Sequence, residues 1–303
     1  MGPMGLYLRP STLAEALAAL ADDKLNPVSG NAIDKLTVLA GGTDFFPAQT
    51  ARRAWLEKAP QNVLDIWGID ELRGIRRGED RTSLGALTTW TEICDAGLPP
   101  AFDGLKLAAR EVGGRQVQNR GTIAGNICNA SPAADGVPPL LTLDAKVEMA
   151  SVRGRRSLPL AEFITGNRRT ALAPDELVTA VDVPRQSGNA RSTFLKLGAR
   201  SYLLISIASV AALLEQDTDG RIAEAAIAVG ACSAVPVRLT ELEHQLVGAQ
   251  PDAITLLVKQ HVSSALAPID DIRGSGSYRK HAAVVLVGRA LAEILANGAR
   301  RAA

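Results

Sequence analysis

Val38-Leu39-Ala40-Gly41-Gly42-Thr43-Asp44-Phe45 is the stretch on which the fold turns: an apolar strand, Leu36 to Ala40, that stops abruptly at two glycines. Glycine tolerates positive φ, so successive backbone N–H groups after the strand can point into one concave nest that holds an anion. Thr43 adds a hydroxyl donor. The spacing is not the G-x-G-x-x-G of a dinucleotide fold, and the lysine of a P-loop is missing, so neither nicotinamide nor ATP binding follows from it. Taken alone, the glycine pair is more commonly explained as a plain strand-ending turn.

A second stretch shifts that balance. Arg120-Gly121-Thr122-Ile123-Ala124-Gly125-Asn126-Ile127-Cys128-Asn129-Ala130-Ser131-Pro132-Ala133-Ala134-Asp135 combines glycines with small hydroxyl and amide side chains and ends in a carboxylate. Those groups suit a diphosphate and a ribose, with Asp135 accepting from sugar hydroxyls. The wider segment from Arg115 to Asp135 shows no amphipathic period, and a structureless run of that length inside a domain usually serves a ligand. Gly42 and Gly125 are expected to aim their N–H groups at phosphate oxygens.

Outward from these loops, the pattern alternates strand and helix. Ser11 is expected to cap a helix carrying Leu13, Ala16, Leu17 and Leu20, with β segments at Gln61 to Ile66 and Thr82 to Leu87 and a helix capped by Thr91. A polar loop is expected at Asn26 to Asn31, and a helix from Leu105 to Val112 stops at Gly113-Gly114. A hairpin spans Lys146 to Leu158 and a strand runs from Glu176 to Val183 before Pro184. Beyond a polar break at Gln186 to Ala190, Thr193 to Leu197, Ile205 to Glu215 and Arg221 to Ala231 read as an antiparallel meander, its last two strands joined by the turn Asp217 to Gly220. Three helices follow: Leu239 to Leu246, Ala253 to Leu266 and Ser277 to Leu295.

Composition narrows the function. With 303 residues the chain exceeds a single small module, and 47% hydrophobic residues provide a sizeable core. Lys plus Arg numbers 33 against 32 Asp plus Glu, a balance that gives no long-range field for nucleic acid. Cys94, Cys128 and Cys232 are far apart and the three histidines lack metal-pair spacing, so no metal site is expected. No window has the apolar length of a membrane span and no leader pattern is read at Met1 to Leu8, so the protein is expected to stay in the cytoplasm.

Val38 to Phe45, Thr122-Ile123-Ala124-Gly125-Asn126 and Ala130-Ser131-Pro132-Ala133-Ala134-Asp135 together resemble the FAD-binding medium subunit of the molybdenum hydroxylases, the xanthine dehydrogenase and carbon monoxide dehydrogenase family. Tyr7, Pro10, Glu15-Ala16-Leu17, Asp175-Glu176-Leu177 to Pro184, Phe194 with Lys196, and Ser277-Tyr278-Arg279-Lys280-His281 extend the resemblance along nearly the whole chain. It implies an α+β protein. A two-subdomain FAD-binding domain of the PCMH/vanillyl-alcohol-oxidase type would occupy residues 1–185 (about 1–58 and 59–185). A C-terminal α+β domain, a three-stranded antiparallel sheet with helices, would occupy 190–303.

The resemblance also implies the cofactor contacts: Val38, Leu39, Ala40, Gly41, Gly42, Thr43, Asp44 and Phe45 in the first loop, and Thr122, Ala124, Gly125, Asn126, Asn129, Ser131, Ala134 and Asp135 in the second. Val112 would press on the cofactor, Leu177 and Val178 would supply apolar contacts, and Lys196 would stabilise negative charge on the reduced ring. Tyr202 falls where some relatives cover the isoalloxazine. Ala124 departs from the usual T-I-G-G, which asks that position to keep φ negative, Phe45-Phe46 makes the first loop bulkier, and the [4Fe–4S] loop of some members is missing.

The implied function is electron transfer. FAD in this chain would take electrons from [2Fe–2S] clusters of a small subunit and pass them to an external acceptor. A large molybdopterin subunit would hydroxylate a purine, aldehyde, N-heterocycle or similar substrate, and the whole would form a dimer of heterotrimers. No catalytic side chain is required here. The alternatives are a freestanding FAD-dependent oxidoreductase of the same fold, or an assembly protein that has lost the cofactor.

Overall fold

Short apolar strands and glycine-ended turns place three main sheets and one small hairpin along a computed structural model that describes residues 5–27, 35–57, 62–200 and 203–302. Part of the loop expected at 26–31, Gln61 at the start of an expected strand, and Tyr202 lie outside the described residues.

The first unit is a parallel three-stranded sheet. It contains β1 (Tyr7–Leu8), α1 (Leu13–Ala21), β2 (Thr37–Leu39), α2 (Phe45–Ala54) and β3 (Val63–Asp65), with β3 in the centre between β1 and β2. Leu13, Ala16, Leu17 and Leu20 of α1 are buried on one stripe, as their helical spacing requires. The cap is Thr12 rather than Ser11: Thr12 Oγ1 accepts the Glu15 N–H, while Ser11 donates its own N–H and hydroxyl to the Glu15 carboxylate. Adjacent hydroxyl residues make this one-residue offset invisible to spacing alone.

The second unit carries β4 (Ile75–Arg77), β5 (Arg81–Gly85), α3 (Trp90–Asp95), α4 (Asp103–Glu111), α5 (Arg115–Gln118), α6 (Ile123–Asn129), α7 (Val137–Thr142), β6 (Lys146–Ser151), β7 (Gly154–Pro159), α8 (Leu160–Phe163), the small hairpin β8 (Ile164–Gly166) and β9 (Arg169–Thr170), and β10 (Leu177–Pro184). Its main sheet is antiparallel, in the order β4-β5-β10-β6-β7. Thr89, not Thr91, caps α3, in a complete capping box with Glu92. The segment from Arg115 to Asp135 is not structureless; α5 and α6 lie in it, each too short to display a period, with Ile123, Ala124 and Ile127 of α6 buried.

Beyond residue 190 come β11 (Arg191–Leu197), β12 (Ala208–Gln216), β13 (Ile222–Gly230), β14 (Val237–Arg238), α9 (Thr240–Leu246), α10 (Ile254–His261) and α11 (Gly276–Ala302). The expected meander β11-β12-β13 is present and gains β14 as a fourth, edge strand. Both faces of this sheet are covered, so β12 carries a continuous apolar run from Val210 to Leu214. Val210, Ala212 and Leu214 pack under α9, α10 and α11, while Leu213, with Ala226 and Ala228 of β13, joins the core of the first two units. Arg238 fastens the junction, donating to the Leu141 carbonyl and Asp144 on one side and to Glu243 on the other.

One buried carboxylate gives the fold a predictable acid response. Arg156 grips Glu176 through two N–H groups at 2.6 and 2.7 Å, and this holds the Glu176 carboxyl below its ordinary value, against the opposing effect of burial. A lowered folded pKa contributes stability that is present above the unfolded value of about 4.3 and lost as pH falls through the folded one. Glu176→Gln should therefore flatten the melting temperature against pH below about pH 4.5; a parent-like slope in that window would remove Glu176 from the acid transition.

Candidate functional site

Loops from the first and second units face one another across a cleft of about 690 Å³, within the usual range for small-molecule sites. Among the described residues, every site residue expected from the sequence lines it except Lys196. The first wall is the turn after β2. The second is the turn into α6 and the residues that follow it. Val112 after α4, Leu177 and Val178 at the start of β10, and Leu204 and Ile205 supply apolar surface.

The two walls touch at Gly41. A Cβ there would lie 1.7 Å from the Arg120 carbonyl oxygen, so only glycine lets the first loop lean against the backbone leading into the second. Gly42 has φ +78°, which a side chain would strain. Beyond this turn, the amides of Gly41, Gly42, Thr43 and Asp44 donate to no acceptor among the described residues, whereas those of Phe46 and Ala48 already bond the Gly42 and Asp44 carbonyls. Four consecutive free N–H groups beside a cleft form an anion nest.

The second loop is built differently. Thr122 caps α6, and the Gly125 N–H donates to Thr122 Oγ1 at 3.1 Å. The amides of Ile123, Ala124 and Asn126 bond the carbonyls of Thr88, Ala86 and Thr122. The Gly125 amide is therefore held by the helix cap, and the expectation that it points at a phosphate is not met in this arrangement. What the loop does offer is the Asn126 side-chain carbonyl, buried and without a partner among the described residues while its residue lines the cleft. A ligand hydroxyl or imide N–H would satisfy it. Ala124 is helical, consistent with the negative φ its side chain needs.

Asp135 closes the second wall. Its Oδ2 accepts from Lys196 Nζ at 2.6 Å and its Oδ1 from the Ser206 hydroxyl. Both charged side chains are 8% exposed. Burial pushes the Asp135 carboxyl up, and Lys196 and Ser206 pull against it. Lys196 thus stands behind Asp135, also reaching the Glu111 carbonyl at 3.4 Å, and is not itself among the residues that line the cleft. Cys128 lines the cleft with its thiol pushed up to about 12 by burial, which keeps it protonated and inert at neutral pH.

Trp90 and Arg168 are among the lining residues that were not singled out in the sequence. Trp90, 1% exposed, forms part of the floor, and Arg168, at the tip of the β8–β9 hairpin, reaches the mouth. The scarcity of tryptophan was a signal for the first; nothing local marked the second. The cleft thus combines free amides that fit a diphosphate, an orphan acceptor, and apolar side chains that fit a flat ring. That donor set agrees with FAD.

Family comparison gives the same answer. Residues 2–186 match the model of the FAD binding domain in molybdopterin dehydrogenase, and residues 193–294 that of the CO dehydrogenase flavoprotein C-terminal domain. The nicotinate dehydrogenase FAD-subunit of Eubacterium barkeri is 35% identical over 247 residues, covering 80% of this chain and 79% of its own. A putative xanthine dehydrogenase FAD-binding subunit of Escherichia coli is 31% identical over 294 residues, covering 96% of each. Among solved structures, carbon monoxide dehydrogenase from Hydrogenophaga pseudoflava superposes with a TM-score of 0.86 at 26% identity, covering 98% of this chain and 99% of that one. With both halves matched and the cleft in place, this chain belongs to the FAD-binding medium subunits of the molybdenum hydroxylases, the oxidoreductase family of xanthine dehydrogenase and carbon monoxide dehydrogenase.

Proposed function

We propose that this chain is the electron-relay subunit of a cytoplasmic heterotrimeric hydroxylase, holding FAD between a small [2Fe–2S] subunit and an external acceptor. A large molybdopterin subunit would hydroxylate the organic substrate, a purine, aldehyde, N-heterocycle or similar compound, and the assembly would be a dimer of heterotrimers. The observation that carries this reading is the run of free amides from Gly41 to Asp44, in residues that line the same cleft as the apolar Val112, Leu177 and Val178. When bound, FAD supplies the exchange between one-electron traffic with iron–sulfur centres and two-electron traffic with the acceptor.

The chain's own residues do the rest. The Gly41 to Asp44 amides would bind the diphosphate, and the Asn126 carbonyl would accept from the ribityl chain or ring. Val112, Leu177 and Val178 would exclude water from the ring face. Lys196, anchored by Asp135, would place a positive charge close behind the wall. No side chain in the cleft is asked to act as acid, base or nucleophile, which distinguishes this reading from a freestanding FAD oxidoreductase with its own substrate chemistry.

The test is purification from a host that makes the neighbouring subunits. A yellow protein with a flavin spectrum near 450 nm that co-elutes with iron–sulfur and molybdenum-containing chains is expected. Turnover of purines, aldehydes or N-heterocycles by the chain on its own would replace this reading with the freestanding enzyme.

A further inference from the structure

The cleft carries a charge problem. Its described lining includes three carboxylates, Asp44, Glu111 and Asp135, and Arg168 is the only cationic side chain among the lining residues. Asp135 is matched by Lys196 from outside the cleft. Asp44 sits beside the free amides of the first loop, where its charge would repel a diphosphate.

The arrangement around Arg168 answers this. Asn129 Nδ2 donates to Asp44 Oδ1 at 2.8 Å, and Asn129 Oδ1 accepts from Arg168 Nη1, so one amide bridges the carboxylate and the guanidinium. The Arg168 backbone is held as firmly: its N–H donates to the Ala130 carbonyl at 2.9 Å, and its φ is +58°. That left-handed conformation is unfavourable for an arginine, and Ala130, the partner residue at the end of α6, is left-handed as well, with φ +44°. Two non-glycine residues in this region, bonded to each other, fix the hairpin tip against the second loop. A guanidinium has five N–H donors, and only one is used among the described residues.

We infer that Arg168 is a cofactor-binding residue: its guanidinium supplies the counter-charge for the diphosphate, positioned over the first loop by the Asp44–Asn129–Arg168 bridge. The inference rests on reading the cleft as the FAD site. Two ionised phosphates need more than neutral amides when a carboxylate stands beside them, and a planar fork meets phosphate oxygens in pairs.

The experiment is titration of the full-length apo chain with FAD, followed by flavin fluorescence, at low salt and again near 1 M NaCl. Arg168→Asn removes the charge while keeping a side chain that accepts left-handed φ, and Arg168→Lys keeps the charge. Arg168→Asn should weaken FAD roughly 10- to 100-fold at low salt. The gap should close to within about threefold at high salt, where the charge is screened. Arg168→Lys should retain the parent's salt dependence. An Arg168→Asn affinity within twofold of the parent at low salt would overturn the inference, as would a weakening that salt leaves unchanged. If the parent itself took up no FAD, the site reading would fall first, and Arg168 with it.

Discussion

Gly41→Ala is expected to cost on the order of 3 kcal/mol of stability, a fall in melting temperature of roughly 6–12 °C, and to leave the purified chain without flavin. The ideal Cβ would stand 1.7 Å from the Arg120 carbonyl oxygen and 2.5 Å from its carbon, and backbone atoms cannot swing aside as side-chain tips do. Nor can the Arg120 segment retreat easily. The Arg120 and Gly121 N–H groups both bond the Val117 carbonyl, the Trp90 N–H bonds the Gly121 carbonyl, and the Arg120 guanidinium lies 3.8 Å from the centre of the Trp67 ring. The two walls of the cleft would have to part, and the nest with them.

Gly42→Ala makes the contrast. Its Cβ would meet the Phe46 ring, which can turn, and the strain of φ +78° costs only about 1–2 kcal/mol. Thermal melts followed by circular dichroism, with flavin content read on the same samples, separate the two. A Gly41→Ala protein that melts within 2 °C of the parent and keeps its flavin would show that the walls are not locked together.

The second large effect is expected at the pair that joins the cleft to the C-terminal sheet. Lys196→Met should cost about 3 kcal/mol or more, because it strands the Asp135 carboxylate in a site it shares only with Ser206. Asp135→Asn should cost a similar amount by stranding the ammonium. The double variant should lose clearly less than the sum, with a coupling of about 2 kcal/mol. By comparison, the exposed Arg155–Glu148 pair should couple by less than about 1 kcal/mol.

Acid should partly rescue Lys196→Met. Burial already raises the Asp135 pKa, and removing the lysine raises it further, so the folded value lies above the unfolded one. A group shifted in that direction stabilises the fold below its unfolded pKa and loses that contribution as pH rises through the folded value. The deficit of Lys196→Met relative to the parent should therefore be larger at pH 8 than at pH 5. Additive losses, or a deficit independent of pH, would show that the pair is not a coupled buried ion pair.

Where a residue's task is set by its neighbours in sequence, the chain was readable. The apolar run of Ile205 to Glu215 predicted a strand of the C-terminal meander, and the glycines after β2 predicted a turn with free amides. Capping was legible only as a region: Ser11 and Thr12, or Thr89 and Thr91, are equivalent in type, and only geometry decides which oxygen meets the helix amides. The tasks assigned across long separations were hidden. Asp135 lines the cleft but also holds a lysine 61 residues away, a contact that nothing near it in sequence marks, and Arg168 acquires its place from Asn129 and Ala130 through a left-handed turn that no composition signal announces.

The same long separations govern when the cleft can exist. Its parts meet through the parallel pairing of β1 and β2 with β3, through Asp44 on Asn129 at a separation of 85 residues, and through Lys196 on Asp135. Contacts of high sequence separation form late and slowly, because the chain must lose loop entropy before they reward it. During synthesis the first wall therefore waits for the second, and both wait for β11. Cofactor capture then has to follow the synthesis of β11, and a chain stopped before Arg191 is expected to yield no yellow intermediate.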